Sequence, residues 1–175
     1  IIPVGDPFNP TTPTSSSAVT VVDLIGGPNS SLFPSVNTAD LRPFALKYYQ
    51  DKLYIGYVAN AQTTQNPANL FGFVLTYDPQ SGAFAQVLAP FTLDFARGCA
   101  LSDNVTCFGP ARWNPWQDTY PTNPAMDRGT EEAEPQPILA DIEFDANGNM
   151  ILGFRDRFGD QGGREAPRPN ATPGG

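Results

Sequence analysis

The segment from Ile138 to Gly163, ILADIEFDANGNMILGFRDRFGDQGG, constrains the fold more than any other part of the chain. Ile138, Leu139, Ile142 and Phe144 place apolar, β-favouring side chains ahead of the run Asp145-Ala146-Asn147-Gly148-Asn149. Asn-Gly at the centre of that run suits a turn in which φ > 0 must be tolerated. Met150, Ile151, Leu152 and Phe154 then form a second short apolar run. Two such runs around an Asn-Gly turn predict an antiparallel hairpin. Beyond it, Arg155-Asp156-Arg157-Phe158-Gly159-Asp160-Gln161-Gly162-Gly163 is charged and glycine-rich. That segment reads as a loop with a fixed backbone or as a polar site.

The earlier part of the chain carries the same signature. Ala45, Leu46, Tyr48 and Tyr49 precede a Gln50-Asp51-Lys52 turn, and Leu53–Val58 returns with aromatic and β-branched residues. Leu70–Tyr77 reads as a strand, Asp78-Pro79-Gln80-Ser81-Gly82 as a turn, and Ala83–Leu88 as the strand that closes a second hairpin. Only 16% of residues are charged, and there are 19 Pro and 16 Gly, a balance that favours short strands and ordered loops over a helical bundle. The first hairpin recurs in the last. Pro43-Phe44-Ala45-Leu46 parallels Pro137-Ile138-Leu139-Ala140, and Tyr54-Ile55-Gly56-Tyr57 parallels Ile151-Leu152-Gly153-Phe154. A repeated four-strand meander is how a β-propeller blade is written. The expected fold is therefore all-β, built of antiparallel four-stranded meanders, and partially propeller-like, about one and a half blades with long ordered loops. Residues 1–40 are Pro-, Thr- and Ser-rich and read as an extended arm, in which Val19–Ile25 is either part of a tether or a short strand added to a sheet. Residues 41–163 form the module and 164–175 a tail.

Composition narrows the function classes. A formal net charge of −8 and only ten Lys plus Arg leave no basic face for nucleic acid. No apolar run has the length of a membrane-spanning helix. The chain contains no histidine, so catalysis or metal binding would have to use carboxylates and other oxygen ligands. It opens Ile1-Ile2-Pro3 with no signal peptide, which leaves the compartment open. Cys99 and Cys107 flank a small polar loop without Cys-x-x-Cys spacing, and the expected pairing is a disulfide if the chain is extracellular. Asn29, Asn104 and Asn170 each begin an Asn-x-Ser/Thr triplet, which matters only where Asn is glycosylated.

The strongest polar constellation is Asp141, Glu143, Asp156, Asp160 and Gln161, with Arg155 and Arg157 beside it. These carboxylates and the Gln161 amide are candidates for a Ca²⁺ site, metal residues Asp141, Glu143, Asp156 and Asp160. The competing and favoured reading is local charge pairing with the two arginines. Asp145-x-Asn147-x-Asn149 echoes a calcium loop but lacks the Gly and Glu that an EF-hand requires, so turn chemistry explains it. Glu131, Glu132 and Glu134 lie in a long stretch where nothing fixes their separation for acid–base work. Trp113 and Trp116, with Tyr120, are a candidate sugar-stacking platform, against the favoured alternative that they pack their loop onto a sheet.

The segments RPFALKYYQDKLYIGYVANAQTTQ, FVLTYDPQSGAF, FARGCA, WNPWQDTYP and PILADIEFDANGNMILGFRDRFGDQGG, in that order, resemble the β-propeller-like region of large bacterial surface proteins with SdrD-B-like domains. The resemblance covers about Leu41 to Gly163. It implies a secreted or cell-surface protein, extracellular or periplasmic, and carries over no catalytic residue. The reading is a non-enzymatic structural or interaction module, part of a larger chain or assembly, whose partners are neighbouring copies or the rest of a parent protein. Its rivals are a metal-dependent, lactonase-like propeller enzyme and a carbohydrate-binding module. No cofactor is expected apart from Ca²⁺ as a candidate.

Overall fold

The computed structural model of the 175-residue chain describes residues 1, 8–33, 36–95, 112–118 and 135–162. It is built mostly of strands. β1 (Leu41–Tyr49), β2 (Lys52–Ala59), β3 (Phe71–Tyr77) and β4 (Phe84–Thr92) form one antiparallel sheet in the order β1-β2-β3-β4. β5 (Pro137–Phe144) and β6 (Met150–Asp156) pair as a separate two-stranded sheet. The expected all-β, antiparallel meander is therefore present as one full four-stranded unit and one hairpin.

Each turn has a local cause. Gln50 and Asp51 both adopt positive φ, 47° and 60°, giving the tight two-residue connection that matches the twist of paired strands. Between β3 and β4, the Asp78 carboxylate accepts hydrogen bonds from the backbone N–H groups of Gln80 at 2.8 Å and Ser81 at 3.3 Å. Those bonds favour the ionised form and hold the Asp78 pKa below the usual carboxylate value. Between β5 and β6, the Asp145 carboxylate accepts from the Asn149 side chain and from the N–H groups of Asn149 and Asn147, each at 2.8 Å. Its pKa is lowered as well, by the Asn149 side-chain bond first. Gly148 takes φ of 81°, and its N–H closes the turn onto the Asp145 carbonyl at 3.0 Å. Asparagine 147 stays out of the left-handed region, so the expected Asn-Gly turn uses its glycine alone.

The four-stranded sheet is the middle layer of the molecule. On its front, Leu41, Ile55, Tyr57, Phe73, Leu75 and Tyr77 are buried with Phe33, and Val22, Leu24, Leu32 and Val36 of the N-terminal arm pack over them. Tyr57 and Phe73 stack at 5.1 Å with rings 2° apart, and Phe33 meets both edge-on. On its back, Ala45, Val58 and Val74 bury against Leu139 and Ile142 of the hairpin, with Trp113 in the same cluster. Strand alternation accounts for both faces: odd residues of β2 point forward and even residues backward. Each fully buried aliphatic or aromatic side chain contributes about 1.5–3 kcal/mol.

The arm differs from either expectation for Val19–Ile25. It forms no strand, yet it is not a free tether. Asp23 accepts from the N–H groups of Ile25 and Gly26 at 2.9 and 2.8 Å, which turns the chain, and Tyr57 Oη donates to the Leu24 carbonyl at 2.7 Å. Val22 and Leu24 thereby reach the core while Val21 stays exposed.

The segment after the hairpin, expected as a loop, also differs. β6 runs through Asp156, and α1 (Arg157–Gly162) follows at once. Asp156 Oδ1 accepts the Phe158 N–H at 3.0 Å, capping that turn of helix, and the Gln136 N–H at 3.0 Å, tying it back to β5.

The two hairpins share one geometry, and it corrects the alignment read from the sequence. The β1–β2 ladder slips by one residue at Phe44, between Pro43↔Tyr57 and Ala45↔Gly56. The β5–β6 ladder slips by one residue at Ala140, between Leu139↔Phe154 and Asp141↔Gly153. Both are β-bulges opposite the same glycine. Gly56 and Gly153 correspond as expected, whereas Pro43 corresponds to Leu139 and not to Pro137. Aligning the two prolines sets the first strand two residues out of register, because the bulge and not the residue type fixes the correspondence.

The equivalence fixes how the hairpins stack. Leu46, Tyr48 and Ile55 on the front of the first hairpin correspond to Ile142, Phe144 and Leu152 of the second. It is this face of the second hairpin that meets the back of the first. Leu139 fills the space over Gly56: a methyl at Gly56 would lie 2.7 Å from Leu139 Cδ2 and 3.0 Å from Ala45 Cβ. Phe144 stacks on Tyr49 at 4.0 Å and meets Tyr54 edge-on. The two units pack front to back, like coins facing the same way.

Candidate functional site

Polar side chains gather where β1 starts, β2 ends, β5 starts and β6 ends. The segment 112–118 crosses this end of both sheets, and Trp116 is its centre. The Trp116 N–H donates to the Asn60 carbonyl at 3.0 Å, and its indole Nε1–H donates to the Pro137 carbonyl at 2.8 Å. One indole therefore bonds β5 while its backbone bonds the end of β2. Asn114 N–H adds a bond to the Pro135 carbonyl at 2.8 Å, and Gln65 Nε2 donates to the Trp116 carbonyl at 2.8 Å.

Two arginines close on the ring. Arg157 Cζ lies 4.6 Å from the Trp116 centroid and Arg42 Cζ lies 5.7 Å from it, both within cation–π range. Arg42 donates to the carbonyls of Ala39 and Leu41, each at 2.8 Å, and to Gln62 Oε1 at 3.0 Å. Arg157 donates to Gln136 Oε1 and to the Gln117 carbonyl, and Gln62 Nε2 donates to Asp118. Partial burial pulls the Arg157 pKa below the ordinary guanidinium value, with Asp118 opposing that shift and Arg42 adding to it. Buried Asp40 accepts from the Thr63 N–H at 2.9 Å and the Thr63 hydroxyl at 2.7 Å. These donors and acceptors are directed at one another and at backbone. Chemically the cluster is a brace between layers. Beside it lies a pocket of about 200 Å³, lined by Val36, Asn37, Asp40, Ala59, Thr64 and Asn69.

The carboxylates singled out from sequence are separated by the fold. Glu143 pairs with Lys47 of β1 at 2.6 Å, and Asp160 pairs with Arg155 at 2.8 Å. Asp141 Oδ1 accepts the Ile142 N–H at 3.0 Å, and Asp156 serves the two backbone groups described above. Among the described residues no three acidic or thiol groups come together as a bound cation would require. The charge pairing expected for Arg155 with Asp160 is present, while Arg157 turns to Trp116 and Gln136.

Trp113 and Trp116 are 5% and 8% exposed, so neither ring offers an open face to a sugar. Trp113 packs against Phe154 at 6.2 Å within the core behind the main sheet. Asn29 is exposed, and its side chain accepts from the Ser31 hydroxyl. Cys99, Cys107, Asn104, Asn170, Tyr120, Glu131, Glu132 and Glu134 lie outside the described residues, which contain no cysteine. Among the described residues no helix is long and apolar enough to cross a membrane. Sequence reasoning missed Arg42, Gln62 and Gln136 as bracing residues. The only signal was the tryptophan pair itself, since the partners sit at strand ends remote in the chain.

The chain is similar to two proteins of Dictyostelium discoideum. It is 33% identical to Colossin-A over 121 residues, which is 69% of this chain and 1% of that protein. It is 27% identical to Colossin-C over 150 residues, 81% of this chain and 14% of that protein. The chain thus spans a small fraction of the length of both relatives. No family model matches it, and no solved structure matches it. These relatives are eukaryotic, and nothing found points to bacterial proteins with SdrD-B-like domains, so that resemblance is corrected.

Proposed function

We propose that this chain is a non-catalytic structural or interaction module of a much larger protein, built to stack and to hold neighbouring parts in place. The observation that carries the reading is how its polar groups are spent. Glu143, Asp156, Asp160 and Asp141 each serve a different local partner, and the Trp116 cluster bonds one layer to the other. The small share of Colossin-A and Colossin-C that aligns with the chain supports its being one unit among many. Front-to-back packing of two equivalent hairpins supports a propeller-like order for those units. An extracellular or cell-surface setting completes the proposal.

Calorimetric titration with Ca²⁺, together with thermal melts in Ca²⁺ and in chelator, tests it. The expected result is no binding heat and coincident melts. Micromolar Ca²⁺ affinity with a raised Tm would overturn the reading and favour a metal-dependent propeller enzyme.

A further inference from the structure

The two surfaces that join the hairpins each have a corresponding surface elsewhere in the molecule, and both counterparts carry exposed apolar side chains. In the observed contact, the front of the second hairpin supplies Leu139, Ile142 and Phe144, and the back of the first supplies the Gly56 slot that Leu139 fills, and Tyr54. The residues that correspond to Leu139, Ile142 and Phe144 are Pro43, Leu46 and Tyr48 of β1; Pro43 is half-buried, and Leu46 and Tyr48 stand 62% and 60% exposed. The arm covers the front of β2 and β3 but leaves this part of β1 open. The residues that correspond to Tyr54 and Gly56 are Ile151 and Gly153 of β6. Ile151 is 57% exposed, and the nearest atoms over Gly153 all belong to its own cross-strand neighbour Asp141. At Gly56 the same place is filled by Leu139.

From this we infer that the open β1 front of one molecule docks on the open β5–β6 back of a second copy, repeating between molecules the contact already made within one. The inference rests on the module reading above and names its partner. The two surfaces are different, so the contact is head-to-tail and the pair retains one free face of each kind. The area is that of part of a hairpin, which makes the association weak and dependent on concentration. Each copy carries a formal net charge of −8, so added salt strengthens the contact by screening the repulsion between copies.

Sedimentation velocity from low micromolar to near-millimolar protein, at two salt concentrations, tests this. The mass is expected to rise with concentration and more steeply at higher salt. Leu46→Glu blocks the front and Ile151→Glu blocks the back, and each alone weakens self-association at least about tenfold. Mixed together, the two variants regain one dimer, because each still offers the face the other lacks. Circular dichroism melts show whether each variant is folded, and Tyr48→Lys and Ile151→Lys are second choices at the same surfaces. A wild-type chain that stays monomeric throughout, or folded variants that associate unchanged, or a mixture that forms no dimer, would each overturn the inference. Ca²⁺ titration reads the module proposal separately, so the two can fail independently.

Discussion

Tyr57 shows how one side chain settles where the arm lies. Its ring belongs to the aromatic cluster on the front of the main sheet, and its hydroxyl reaches past that cluster to the Leu24 carbonyl. Burial pushes the phenol pKa well above its usual value of 10.0, and the nearby Asp23 carboxylate adds to the shift. A group whose pKa is raised on folding contributes stability that is complete below its unfolded value and is lost above it. Stability should therefore fall as pH rises beyond about 10, the ordinary phenol value. Tyr57→Phe should lose about 1 kcal/mol at neutral pH and flatten the alkaline decline, as read by urea unfolding across that pH range. An alkaline limb of unchanged steepness in Tyr57→Phe would show that another tyrosine governs it. Nothing in the sequence marked Tyr57 apart from its neighbours Tyr54 and Phe73, because the bond depends on where a strandless arm happens to cross.

At the scale of elements, the packing of hairpin on sheet depends on an absent side chain. Gly56 leaves room that Leu139 fills, and a methyl there would stand 2.7 Å from Leu139 Cδ2 and 2.8 Å from Cγ. Gly56→Ala should cost about 1–3 kcal/mol through overpacking. Leu139→Ala alone should cost about 2–5 kcal/mol through the cavity left behind. Denaturant unfolding of the double variant should show clear non-additivity, with the Gly56→Ala penalty largely gone once Leu139 is shortened. Additive costs would mean that Ala45, and not Leu139, is what the extra methyl strikes. The strands themselves were legible from alternation: all three hairpins expected from sequence are present, and β1, β2, β4, β5 and β6 only run longer than their apolar cores suggested. The helix at Arg157 was not legible. A run with Gly159 and Gly162 has poor helix propensity, and its cap, Asp156, is a strand residue whose second bond goes to Gln136.

At the scale of the molecule, three layers are held by two different means. Apolar burial joins the arm, the main sheet and the hairpin, while Trp116 and its arginines pin the last two at one end. The carboxylates could be picked out of the sequence, but their separation could not, since period two puts Asp141 and Glu143 on one face without saying that Lys47 would claim one of them. Each hairpin also accommodates a single extra residue. Leu139 lies before the bulge at Ala140, and Ile142 and Phe144 lie after it, so only the insertion lets an odd and then an even position look the same way. Removing Ala140 would take out the bulge and leave Leu139, Ile142 and Phe144 two apart on one face, whereas removing Glu143 would make Ile142 and Phe144 adjacent and turn one of them away from the main sheet. The Glu143 deletion should weaken the second layer, read as a clearly lowered Tm, whereas the Ala140 deletion should keep both layers and the cooperative melt. The spacing of three side chains on one short strand thus decides how well a second sheet can lie against the first.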